Sequence, residues 1–142
     1  MAAEKLQILF DLNIILDVLE ERNEFYDFSA RLLAYAETDV IQKWLAAHSM
    51  TTLFCLISKD KSPEQARVTL TSLLQFLKIA PVDQKTIEQA LNLPFRDFED
   101  SIQMMTALQI HADYLLTRNV RDFQPAPIEV VQPVELLAIL KA

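Results

Sequence analysis

The sequence predicts a three-layer α/β/α protein with a central, mostly parallel sheet of four or five strands, and three observations lead there. Short apolar runs alternate with amphipathic segments along the chain, the order that strand-helix-strand units impose. Acidic and amide side chains stand at the junctions between those segments, at Asp11, Asp100 and Asn119. With 142 residues, 51% of them hydrophobic, the chain has the size and apolar content of one ordinary domain, taken here as residues 1–142.

The elements follow in order. Lys5 to Asp11 reads as a buried central strand and Ile14 to Glu21 as a short helix ending near Asn23. Phe25, Phe28, Leu32 and Ala36 place one apolar stripe on a helix from Glu24 to Glu37. Val40 to Ala47 has the apolar content of a strand interrupted by Gln42 and Lys43, and Thr51 to Ser58 that of a short helix. Ser62-Pro63-Glu64-Gln65 is a helix start, with Ser62 as N-cap, Pro63 in the first turn and Gln65 completing a capping box. That helix buries Ala66, Leu70, Leu73 and Leu77. Lys78 to Val82 is a strand, Asp83 caps a helix that Asn92 and Pro94 stop, and Asp97 caps another from Phe98 to about Ile110. The stripe of this helix is Ile102, Met105, Leu108 and Ala112. Tyr114 to Thr117 and Ile128 to Val131 are strands, and Pro133 opens a final helix through Leu140.

Composition excludes several functions. The chain has no glycine, which removes phosphate-cradling glycine loops, and leaves Asn23 and Asn92 as the expected left-handed residues at helix ends. A net charge of −7 lacks the basic footprint of a simple nucleic-acid-binding module. It weighs less against a nuclease, whose site carboxylates add to the negative total and whose bound ions offset it. The single Cys55 lies in an apolar stretch and reads as an inert core thiol. The N-terminus carries neither a signal peptide nor a membrane span, so a cytoplasmic protein is expected.

In a strand-helix-strand unit, helix N-termini and strand C-termini share one sheet edge, the edge where open α/β folds bind ligands. Asp11 ends the first strand, Glu99 and Asp100 begin a helix, and Thr117-Arg118-Asn119 follow a strand. Carboxylates converging there repel one another and call for a divalent cation. Asp11 as a helix cap accounts for one residue. As a metal ligand it also accounts for Asn13 beside it, which is expected to orient Asp11 or a water, while Asp17 is expected to be solvated. Asp100 in a first helical turn gains roughly 0.3–1 kcal/mol from the helix dipole without any function; its shared edge with Asp11 is what makes it a site candidate. Asn119 or Asp122 is placed to complete the site, with Thr117 and the arginines near phosphates.

These segments, Leu9-Phe10-Asp11-Leu12-Asn13, Phe98-Glu99-Asp100-Ser101-Ile102-Gln103 and Thr117-Arg118-Asn119-Val120-Arg121-Asp122-Phe123, together with Gln132-Pro133-Val134-Glu135, resemble the PIN-domain family and its VapC-like branch. The resemblance spans essentially the whole chain. It implies an Mg²⁺- or Mn²⁺-dependent ribonuclease acting on RNA, the toxin of a toxin-antitoxin pair with an antitoxin protein as partner, and a homodimer. Asp11 matches the family's first acid and Asp100 its helix acid, with Asn119 at the fourth position and Asp122 as its substitute. The family's second acid falls at Thr52, a departure that weakens the metal site or abolishes catalysis. In this reading Asp11, Asp100 and Asp122 hold the metal with Asn119, and Asn13, Thr52, Glu99, Thr117 and Arg118 surround it or the substrate.

Two competing readings differ in class. A catalytically silent PIN fold acting as an interaction protein draws on Thr52. An aspartyl phosphotransferase of the haloacid-dehalogenase type, with Asp11 as nucleophile, is disfavoured by the absence of glycine and of a later lysine with paired acids.

Overall fold

The computed structural model describes residues 5–21, 26–34 and 40–141. The sheet holds five strands, β1 (Leu6–Phe10), β2 (Ile41–Ala46), β3 (Lys78–Ala80), β4 (Tyr114–Leu116) and β5 (Glu129–Val131), all parallel and ordered β3-β2-β1-β4-β5. The helices are α1 (Leu12–Leu19), α2 (Tyr26–Leu33), α3 (Ala47–Asp60), α4 (Pro63–Leu73), α5 (Gln84–Ala90), α6 (Phe98–Gln109) and α7 (Pro133–Lys141), with a 3₁₀ turn at Val120–Phe123. The predicted α/β class and parallel sheet are what the fold shows.

β1 is central and buried on both faces, which is why Leu6-Gln7-Ile8-Leu9-Phe10 is almost continuously apolar. The two-residue period of a strand divides its side chains between two cores. Ile8 and Phe10 join Ile14, Ile15, Leu32, Leu53, Leu73 and Leu136 on one face, whereas Leu9 joins Met104, Ala107, Leu115 and Phe123 on the other. Each large apolar side chain so buried contributes about 1.5–3 kcal/mol relative to exposure. α6 therefore covers one face, and the helices contributing to the larger core cover the other.

Chain order places the functional edge. From β1 the chain moves outward to β2 and β3, then returns to the opposite side of β1 for β4 and β5. The reversal lies between β1 and β4, and a crevice opens at the carboxyl ends of strands flanking such a switch. The backbone N–H of Asp11 donates to Leu116 O at 2.8 Å, and that of Thr117 to Val131 O at 3.0 Å, so the residues just past β1 and β4 are fixed side by side.

The predicted caps at Ser62, Asp83 and Asp97 accept from the backbone N–H groups of Gln65, Thr86 and Glu99 at 3.0, 3.0 and 2.8 Å. Other expectations need correction. α1 begins at Leu12 because Asp11 itself stands at the N-cap position. α3 begins at Ala47, directly after β2, in a stretch with no capping side chain to announce it. On α6 the buried residues are Ser101, Ile102, Gln103, Met104, Thr106 and Ala107, leaving Met105 and Leu108 only partly covered. Phe28 is exposed and Ser29 buried on α2; Phe25 and Ala36 lie outside the described residues. Cys55 is exposed, because Ser49, Leu53 and Ile57 form the inward stripe of α3. The positive-φ residues among those described are Glu21 and His111, not Asn92, and Asn23 lies outside the described residues. Lys43 stays in β2 although buried, since its ammonium donates to Leu33 O and lies over the Phe76 ring.

Candidate active site

Asp11 occupies the N-cap position of α1, yet its side chain makes no capping bond. Its carboxylate is 3% exposed and turned instead across the switch point. Oδ1 accepts from Gln103 Nε2 at 2.9 Å, and Oδ2 accepts from Thr117 Oγ1 at 2.8 Å, from residues 92 and 106 positions later in the chain. A helix cap alone accounts for neither bond. Thr117 Oγ1 also accepts from the Asn119 backbone N–H at 3.1 Å, which couples the start of the polar turn to Asp11.

α6 runs antiparallel to the strands, so its first turn returns to the same edge. Asp97 caps it, and Glu99 and Asp100 follow in that turn. Gln103 is three residues beyond Asp100 and four beyond Glu99, the spacing that shares one helix face. Arg96, Asp97, Phe98, Asp100 and Asp122 line an open cleft of about 470 Å³. Burial pushes the Asp100 carboxyl up to about 7, with further upward pressure from the charges of Asp97, Asp11, Asp122 and Glu99. Glu99 is raised as well, by burial and then by Asp97 and Asp11. Asp11, Asp100 and Asp122 therefore lie within electrostatic reach of one another at this edge.

Asn119 stands at the cap position of the 3₁₀ turn and is exposed, while Asp122 within that turn reaches the cleft. Thr52 is half-buried on α3, one residue off the inward stripe. The side-chain donors on Asp11 are Gln103 and Thr117, not Asn13. Asp17 is not solvated: it is 0% exposed, and its Oδ2 lies 2.8 Å from Arg118 Nε. Arg118 thereby ties the end of β4 to α1, and the exposed cation lining the cleft is Arg96. Arg96, Phe98 and Gln103 escaped sequence reasoning about the site. Position on a helix face was the one available signal for Gln103.

The donors are all oxygens, the ligands that hard divalent cations take. Among the described residues no three His, Cys, Asp or Glu side chains are close enough to cage an ion. The arrangement fits an ion held by one or two carboxylates and otherwise by water, as Mg²⁺ commonly is.

The molecule is thus a parallel α/β protein with mutually repelling carboxylates at its switch point. The family model of the PIN domain matches residues 7–121, and the chain belongs to the PIN-domain family. Its fold is that of VapC-like toxins. A toxin-antitoxin complex from Klebsiella pneumoniae is similar with a TM-score of 0.68 at 23% identity, covering 89% of this chain and 97% of that one. VapBC-1 from nontypeable Haemophilus influenzae is similar with a TM-score of 0.69 at 16% identity over 91% and 99% of the two chains. VapC20 of Mycobacterium tuberculosis, described as a sarcin-ricin loop cleaving toxin, gives 0.61 at 13% identity over 76% and 86%. Curated proteins compared by sequence yield no match. Among the described residues no helix is long and apolar enough to cross a membrane.

Proposed function

We propose that this chain is a divalent-metal-dependent endoribonuclease of PIN type and the toxin of a toxin-antitoxin pair, acting in the cytoplasm as a single domain. The observation that carries this reading is Asp11, a buried carboxylate at a helix start that caps nothing and is held across the switch point by Gln103 and Thr117, beside the raised carboxyls of Glu99 and Asp100. Asp11 and Asp100 would hold Mg²⁺ or Mn²⁺, with Asp122, Glu99 and Asn119 around it. When bound, such an ion polarises a phosphodiester and lowers the pKa of water for attack. Thr117 keeps Asp11 oriented, Arg96 offers a charge to a flanking phosphate, and Phe98, 44% exposed, offers a ring face to an unpaired base. The fold neighbours include toxin-antitoxin complexes and an RNA-cleaving toxin, which supports an RNA substrate and an antitoxin partner here.

The test is incubation of the purified chain with single-stranded RNA in Mg²⁺, Mn²⁺ or EDTA. Cleavage with either ion and none in EDTA is expected; metal-independent cleavage sinks the mechanism. The absence of a three-acid cluster among the described residues, with Thr52 where the family has an acid, favours a second reading, a silent PIN fold serving as an interaction partner. No Mn²⁺ binding and no cleavage would leave that reading standing.

Self-association belongs to the same proposal. Val68, Leu74 and Phe76, on and just after α4, are exposed large apolar side chains, and exposed apolar surface marks interfaces. Light scattering is expected to report a dimer, and a monomer at high protein concentration would remove this part.

A further inference from the structure

We infer that Gln103 is a positioning residue of the candidate metal centre, whose amide N–H fixes the Asp11 carboxylate while its buried Oε1 offers a neutral oxygen to a divalent cation and its water. The inference rests on the metal-nuclease reading and goes beyond it, because that reading uses Gln103 only as a donor to Asp11 and assigns nothing to its Oε1. Gln103 is 2% exposed, and its Nε2 donates to Asp11 Oδ1 at 2.9 Å. The orientation of the amide follows from charge: turned over, it would set Oε1 against a carboxylate oxygen, acceptor against acceptor. With Nε2 so committed, Oε1 is left buried without a hydrogen-bond partner. A buried carbonyl oxygen left unpaired is costly, and such an orphan in a native fold calls for a donor or a cation.

Its place identifies that partner. Nε2 and Oε1 belong to one planar amide, so the orphan oxygen lies beside Asp11 on the face of α6 that carries Asp100 and Glu99. Carboxylates already crowd there, with Asp97, Asp100 and Asp122 lining one cleft. A further carboxylate would deepen the repulsion; an amide oxygen adds a hard donor without charge. Amide carbonyls are accepted ligands of hard cations, and groups that orient ligating carboxylates are worth about 10–100-fold in metal affinity.

The experiment titrates the protein with Mn²⁺ alone, reading free Mn²⁺ by electron paramagnetic resonance, beside thermal melting in EDTA. Gln103→Leu, which removes both ends of the amide, is expected to weaken Mn²⁺ binding about 10–100-fold. Gln103→Glu keeps the shape and the Oε1 oxygen but sets an acceptor against Asp11. It is expected to melt lower than wild type in EDTA and to bind Mn²⁺ more tightly, because the charge added beside the ion outweighs the orienting bond it loses, and this holds the test if Gln103→Leu fails to fold. A merely structural glutamine would lower melting in both variants and leave affinity untouched; that result, or weakened binding by Gln103→Glu, overturns the inference alone. Wild type that binds no Mn²⁺ overturns both this inference and the metal-nuclease reading.

Discussion

Asp100→Asn and Asp11→Asn are each expected to abolish metal-dependent RNA cleavage, by more than the roughly 10–100-fold that loss of an outer partner costs, while moving metal-free stability in opposite directions. Asp100 sits half-buried in a first helical turn with its carboxyl pushed up to about 7 by burial and by neighbouring acids. In the unfolded chain the same carboxyl titrates near about 4. Between those values the folded state holds more protons than the unfolded one, so stability falls as pH rises from about 4 to about 7. Asn at this position carries no charge and flattens that fall. Solvent at the open cleft screens the effect, and a gain of ~1–2 kcal/mol at neutral pH is expected after that discount.

Asp11 differs because both of its oxygens accept hydrogen bonds in a buried setting. Asn has a single acceptor oxygen, so either Gln103 or Thr117 meets an N–H₂ instead. The expected cost is about 1 kcal/mol, the net worth of one such bond. It outweighs relief of repulsion on Glu99 and Asp100, in which burial and Asp97 rank ahead of Asp11. Thermal melting in EDTA from pH 4 to 8 measures both variants against wild type. A pH-independent wild type, or an Asp100→Asn protein less stable than wild type at pH 7.5, would show that the acids do not crowd as described.

The fold was legible wherever local chemistry acts alone. Ser62, Asp83 and Asp97 announce their helices because capping is a contact between residues two or three positions apart. β1 announces itself because a strand buried on both faces has to be apolar. The shared edge of Asp11 and Asp100 was legible for a topological reason, since parallel connectivity forces strand ends and helix starts onto one side of the sheet. What failed depends on partners remote in sequence. Asp17 reads as a solvated helix residue until Arg118, from the far side of the switch point, arrives at 2.8 Å. Gln103 has no role in the sequence until Asp11, 92 positions earlier, is brought within hydrogen-bond reach. Cys55, two residues from Leu53 and from Ile57, and Met105, one residue from Met104, were misplaced for a smaller reason: each residue turns a helix by about 100°, enough to carry a side chain off the inward stripe.

Thr52→Glu is expected to strengthen Mn²⁺ binding about tenfold, equivalent to ~1.4 kcal/mol. Among the described residues the acids do not form a ready three-ligand cage, and Thr52 is the position at which the family resemblance places the missing one. It lies half-buried on α3, a helix that begins immediately after β2 and so at the carboxyl edge, beside the inward stripe of Ser49, Leu53 and Ile57. β2 pairs with β1 in parallel register up to Leu45 opposite Phe10, so α3 starts alongside Asp11. A glutamate there extends two bonds further than threonine and adds the charge that the oxygen set lacks. Without metal it joins carboxylates that already repel, and the EDTA melting temperature should fall. With saturating Mn²⁺ it should rise above the wild-type shift, because an ion bound only to the folded state stabilises it in proportion to the logarithm of its affinity. Thr52→Gln separates charge from length: it reaches as far, carries no charge and should show the smaller shift. Equal Mn²⁺ responses in wild type, Thr52→Glu and Thr52→Gln would mean that this face of α3 does not reach the ion, and the lost acid would then explain nothing about the strength of the site.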